Sequence, residues 1–279
     1  ALLGAHVMRL RRWAVPLPAL PWQALGRERQ AVAALVAVLA VYWAVLGGMK
    51  TIDLHMDEAY YFAYGQQLDW GYHSKPPLVM YLMRLGAELF GASTHSTRLA
   101  VHLGHLAQVP LVFWLVRQLG GDDRAALLAA TVRAAFFGVA NNVVPLATTM
   151  DLEMTFSLAT LCAYSQANRS ARWRWWLVAG ALLGCAILAR WSAASLLAGF
   201  ALHQLLRRQP VTEYRMPLAA ALLAMACCTP YLLWQWANDW ITFTHTAALN
   251  VSNTQTWAER AAAVAGFFTG ITGLLNVFT

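Results

Sequence analysis

Between residues 31 and 237 the chain runs through a succession of apolar segments, most of them roughly 15 to 25 residues long, the length at which an α-helix crosses the ~30 Å hydrocarbon core of a bilayer. Inside that core no water can hydrogen-bond an exposed peptide group, so the pattern reads as an all-α, multi-pass transmembrane helical protein. Crossings are expected at about 31–48, 97–117, 125–144, 154–168 and 216–237. The segment 175–206 would measure about 48 Å as one helix, too long for a straight pass, and is expected to break into two short helices near Arg190-Trp-Ser192. Composition agrees, with 59% hydrophobic and 12% charged residues against about 25% charged in soluble domains. Cys162, Cys185, Cys227 and Cys228 all lie in apolar stretches without disulfide or metal spacing, and read as inert thiols.

In such a chain the net charge of +7 is first of all a topology signal, and nucleic acid is not expected as a partner. Arg9, Arg11, Arg12, Arg27 and Arg29 precede the first apolar segment and place residues 1–30 in the cytoplasm. Residues 31–48 are long for a signal-peptide core and lack a clear A-x-A site, so they are expected to stay as the first helix. Following the crossings, Arg117, Arg124, Arg169, Arg172, Arg174, Arg207, Arg208 and Arg215 return to the cytoplasmic side, whereas Asp57, Asp151, Glu153, Asp239 and His245 converge on the outer one. The chain opens without an initiator methionine and stops within an apolar stretch, so residues 31–279 are expected to be a truncated transmembrane domain, with 49–96 as its extracytoplasmic loop.

That loop holds an unusual density of polar groups. Asp57, Tyr60, Tyr61, Tyr64 and Leu68 recur at helical spacing, predicting a helix over about 57–69 that ends at Gly71 and carries one carboxylate and three phenols on one face. Pro76 and Pro77 then open a second helix with Leu78, Tyr81, Leu82, Leu85 and Leu89 at the same period. Two short amphipathic helices lying along the membrane surface would present Tyr72, His73 and Lys75 in the turn between them.

Asp57 is the candidate general base, since a partly desolvated carboxylate beside phenols can accept a proton from an attacking hydroxyl or amine; the plainer alternative is a helix N-cap. Glu58 points about 100° away and has different surroundings. Asp151 and Glu153 read either as a second acidic site that positions substrate or as favourable charges in the first turn of a helix. Lys75 is a candidate phosphate contact or a snorkelling lysine. His73 and His245 would suit a divalent metal if joined by a carboxylate, the one cofactor the residues allow for, but read more simply as hydrogen-bonded side chains. Arg133 lies within an apolar segment, where charge is costly.

His55-Met-Asp-Glu-Ala-Tyr-Tyr61, Leu68-Asp-Trp-Gly-Tyr72, Lys75-Pro-Pro77, Leu85-Gly86 and Leu89-Phe-Gly91 with Arg98 resemble the first extracytoplasmic loop of C-type glycosyltransferases, most closely the protein-mannosyltransferase and aminoarabinose-transferase-like superfamily. Thr149-Met-Asp151 is similar to its second acidic site, residues 176–192 to its broken helix pair, and residues 230–245 to its aromatic-rich turn. The resemblance implies an enzyme of the bacterial inner (plasma) membrane that takes a sugar from a polyprenyl-phosphate carrier on the periplasmic or extracellular face, usually with inversion, and passes it to a lipid, glycan or protein acceptor. It also implies Asp57 as the catalytic carboxylate, with Asp151 supporting the active site; Glu58 is a further catalytic candidate, and Tyr60, Tyr61, Tyr72, His73, Lys75, Glu153, Arg190 and His245 are the candidates for substrate binding. Lys75, Tyr61 and Tyr72 would face the carrier phosphate. Tyr60 stands where some lipid-A-modifying relatives carry an arginine and Ser74 where they carry a glutamate, which speaks against an aminoarabinose donor. The competing reading is a transporter or flippase of a polyprenyl-linked or other anionic substrate, based on Arg133 and Arg190 in apolar stretches.

Overall fold

The structure, a computed structural model, describes residues 26–48, 53–140, 146–207 and 210–251. Arg9, Arg11, Arg12, Pro145, Arg208 and everything past residue 251 lie outside the described residues. The described elements are α1 (Arg27–Gly48), α2 (Met56–Gly65), α3 (Leu78–Phe90), α4 (Thr94–Gln118), α5 (Asp123–Ala140), α6 (Thr149–Ser170), α7 (Trp173–Ala189), α8 (Ser195–Leu206), α9 (Arg215–Ala237) and α10 (Ile241–Val251). One-turn 3-10 helices at Trp191–Ala194 and Val211–Tyr214 lead into α8 and α9. Helices α1, α4 and α9 are long and apolar enough to cross a membrane, and α7 and the stretch through α8 are shorter apolar helices. Apolar side chains also point outward, as with Val38 and Val41 on α1 and Leu218 and Leu222 on α9, each more than half exposed, which suits a surface bathed in lipid.

Helices α1, α4 and α5 close on a cluster of Val32, Val109, Phe113, Ala126 and Ala130. Helix α7 is the centre of the second half, packed on α6 and α9. Gly180 and Gly184 explain how closely it approaches α9: a Cβ at Gly180 would run into the Ala220 backbone, and one at Gly184 would sit 2.7 Å from Cys227 Cβ. A G-x-x-x-G pair in an apolar helix is a known signal for such contact.

The first loop differs from expectation in one respect. Helix α2 ends at Gly65, not near residue 69, so Leu68 lies beyond it, and Gly71 is no helix terminator. Two contacts account for this. The Tyr72 hydroxyl donates to Gln67 O (3.1 Å) and accepts from Asp69 N (3.2 Å), folding residues 66–72 back on themselves. Gly71 lies flat against the Trp234 ring of α9, where any side chain would collide. Helix α3 starts where the prolines place it, but its buried face is Val79, Met80, Met83 and Gly86, while Leu85, Leu89 and Phe90 are about half to two-thirds exposed. An amphipathic helix lying in the membrane interface has such an outward apolar edge.

The long apolar segment breaks as expected. Arg190 is extended (φ −160°, ψ 126°) and ends α7. The chain then turns back along α6: the Phe200 ring stacks on Tyr164 with centroids 3.9 Å apart, and Gln204 Nε2 donates to Asn168 Oδ1 at 2.8 Å. Tyr164 and Asn168 lie 13 and 17 residues below Asp151 on α6, some 20–25 Å at 1.5 Å per residue. Helices α7 and α8 therefore form a hairpin whose tip lies at the Asp151 end of the bundle.

Candidate functional site

Helix α2 is anchored by Glu58. The fully buried carboxylate accepts from Arg98 Nε (2.7 Å) and Nη2 (2.6 Å), from Ala147 N (2.7 Å) and from His55 N (2.8 Å). His55 completes a capping box by accepting from Asp57 N through Nδ1 at 3.4 Å, so the N-cap is His55 and not Asp57. Burial alone would raise the Glu58 carboxyl, but the hydrogen bonds from Arg98, Ala147 and His55 outweigh it and hold the group below its ordinary value. Arg98 Nη2 also donates to Asp53 O at 2.9 Å. With both oxygens engaged, Glu58 braces α2 against α4 and the segment before α6. Glu58, expected among the catalytic residues, thus has both oxygens held by the protein itself.

Asp57, one residue earlier, is exposed. Its field reaches two neighbours. Lys75 is half-buried, and burial pulls its ammonium below the ordinary lysine value, with the Arg190 guanidinium acting in the same direction and Asp57 against it. The Tyr61 phenol, only 3% exposed, is pushed up to about 12 by burial and by Asp57, opposed by a hydrogen bond with Thr149 and by Arg190. Tyr61 and Lys75 thus both feel Asp57 and Arg190, and Thr149 hydrogen-bonds Tyr61, which puts the five residues in one neighbourhood. The Tyr60 hydroxyl shares a 2.9 Å hydrogen bond with Ser74 Oγ, and its ring packs on Tyr64 with centroids 4.5 Å apart, fixing the turn that carries Lys75. The hairpin tip contributes Arg190, whose Nε lies 3.8 Å from Glu153 Oε2, and Ser192, whose Oγ donates to Glu153 Oε1 at 2.9 Å. Arg190 is thus a rim cation and not a charge stranded inside a helix.

Asp151 sits in the first turn of α6. Thr148, the N-cap, donates through Oγ1 to Asp151 Oδ2 at 2.6 Å and accepts from Asp151 N at 3.4 Å. The other oxygen, Oδ1, is 3.1 Å from His105 Nε2 of α4. Gln108 donates to Asp151 O (3.1 Å) and Thr155 Oγ1 (2.6 Å) and accepts from Arg133, so the arginine in the apolar segment is bound into the same network. Trp43 of α1 stacks on His102 and leans on His105, each with ring centroids 5.4 Å apart. Sequence reading missed His105 and Gln108. Their distance along the chain from Asp151 left no local signal.

Tyr72, expected at the carrier phosphate, is buried, and its hydroxyl bonds Gln67 O and Asp69 N within the 66–72 fold. Thr242 Oγ1 donates to Tyr72 O at 2.8 Å and Gln235 bonds Thr242, tying the α9–α10 turn to the loop. That turn holds Asp239 and Trp240 in left-handed backbone (φ 53° and 56°). It brings His245 to His73, with ring centroids 4.4 Å apart. The carboxylate needed to make this pair a metal site is not beside it: among the described residues no three His, Cys, Asp or Glu side chains are grouped for a metal ion.

No solved structure matches this chain. It is 27% identical over 213 residues to the lipid A galacturonosyltransferase RgtD of Rhizobium johnstonii, an alignment covering 76% of this chain and 45% of that protein. The chain thus spans less than half the length of this curated relative. The family model described as dolichyl-phosphate-mannose-protein mannosyltransferase matches residues 74–234, which include Lys75, Asp151, Glu153, the hairpin tip at Arg190 and the Trp234 that seats Gly71. An integral membrane protein of helical build, the chain belongs to the dolichyl-phosphate-mannose-protein mannosyltransferase family.

Proposed function

We propose that this chain carries the catalytic loop and donor-phosphate contacts of a membrane glycosyltransferase. It moves a sugar from a polyprenyl-phosphate carrier to a lipid, glycan or protein acceptor at the extracytoplasmic face of the bacterial inner membrane. The single observation that carries this reading is that the exposed carboxylate of Asp57 and the cations Lys75 and Arg190 lie within electrostatic reach of one another at the bundle end, with Arg190 held 3.8 Å from Glu153. The reaction has matching needs. Asp57 takes the proton of the acceptor hydroxyl or amine as that group attacks the anomeric carbon. The bond from that carbon to the phosphate oxygen breaks, and its electron pair leaves with the carrier phosphate, whose charge Lys75 and Arg190 offset. Attack opposite the leaving group inverts the anomeric centre. Asp151, held by Thr148 and His105, supports the neighbourhood from the first turn of α6. The resemblance to a protein named for galacturonosyl transfer to lipid A favours a glycolipid acceptor.

The transporter reading loses its footing, since Arg190 lies at the rim beside Glu153 and Arg133 is bound to Gln108. The decisive test is Asp57→Asn in the full-length protein. Carrier-lipid binding should persist while sugar transfer, followed by mass spectrometry of envelope lipids and glycans, falls by roughly 10²–10⁴-fold. Transfer at the wild-type rate would remove Asp57 as the base.

A further inference from the structure

At the other end of the bundle, α6, α7, α8 and α9 enclose a cavity of about 340 Å³ that the chemistry above does not use. Its walls include Trp176, Leu197 and Phe200, and its polar end is formed by Tyr164, Gln204 and Tyr214. There Gln204 Nε2 donates to the Tyr164 hydroxyl at 2.8 Å, and the Tyr214 hydroxyl donates to Gln204 O at 3.2 Å. The cavity is not sealed. Leu205 and Leu218, both on its wall, are 65% and 58% exposed, so it opens sideways to where lipid chains lie.

Charge surrounds that polar end. Arg207 donates to Asn168, which in turn binds Gln204. Arg215 follows Tyr214 in the chain and is exposed, with Glu213 as an opposing carboxylate, whereas the exposed Arg169 donates to Gln118 O of α4 at 2.6 Å. An apolar slot that opens to the bilayer, with an excess of arginines at its headgroup-level end, matches the chemistry of an anionic phospholipid. The acyl chain would occupy the slot and the phosphate would meet the guanidinium groups.

We propose that this cavity binds one anionic phospholipid from the leaflet at the arginine-rich end, packing it between α8 and α9 as part of the bundle. The site is separate from the Asp57 neighbourhood, and the proposal does not depend on sugar transfer.

The full-length protein, purified in mild detergent and supplied with either phosphatidylglycerol or phosphatidylcholine, is tested by native mass spectrometry. Phosphatidylglycerol should be retained at one per chain in preference to phosphatidylcholine. Arg207→Gln with Arg215→Gln should weaken that retention about fivefold per arginine, and Ala201→Trp, which fills the slot, should abolish it for both lipids. Equal retention of the two lipids, or retention unchanged by the arginine substitutions, would overturn the proposal. So would a wild-type protein that holds no lipid because a later segment of its own chain fills the slot. Should either variant fail to fold by circular dichroism, Arg215→Gln alone, at an exposed side chain, decides the matter.

Discussion

Removing the Arg98 side chain would leave the Glu58 carboxylate buried without its principal partner. Arg98→Ala should therefore cost about 3–5 kcal/mol, measured by unfolding in detergent, while Asp57→Ala, at an exposed position, should cost far less. The folded Glu58 carboxyl lies below its ordinary 4.5, so its contribution to stability is present above that pH and disappears as pH falls through the folded value. Glu58→Gln should flatten that acid limb of the melting profile. Lys75 has the opposite sign. Its ammonium is the form that binds phosphate, and burial favours the neutral amine, so carrier affinity should decline with rising pH before the ordinary lysine value of 10.5 is reached. Measured by equilibrium binding, Lys75→Arg should remove that alkaline decline, since a guanidinium stays charged. Which of two adjacent carboxylates is free and which is bound was not readable from Asp57-Glu58. The sequence showed the 100° offset, but the partners that immobilise Glu58 come from residues 98 and 147.

Among the elements, α7 is the one most dependent on small side chains. Gly184→Leu should force α7 away from Cys227 of α9 and destabilise the fold by about 1–3 kcal/mol or more, whereas Gly199→Leu, on α8 with open space around it, should be tolerated. Thermal unfolding in detergent separates the two. Helix existence and order followed from apolar periodicity, and the break near Arg190 from segment length together with the placement of basic residues. The end of α2 did not, because Tyr72 and Trp234 decide it from outside the helix. Likewise the spacing of Leu85 and Leu89 identified a helix but not which of its apolar edges is buried, since interface lipid accepts the other.

For the whole molecule, the hairpin requires Ser74 and Glu213 to lie on opposite sides of the membrane. Single cysteines at these sites, labelled from outside in intact cells, should react at residue 74 and not at 213; reaction at both would overturn this topology. The sequence by itself determined a helical membrane chain, the number of turns between its apolar segments, and a loop rich in carboxylates, phenols and cations, because segment length and charge placement are local properties that a bilayer enforces. Only tertiary structure decided that Arg190 joins Lys75, that His105 and Gln108 hold Asp151, and that Glu58 and Tyr72 serve the scaffold, because those contacts join positions far apart in the chain and depend on how the helices pack.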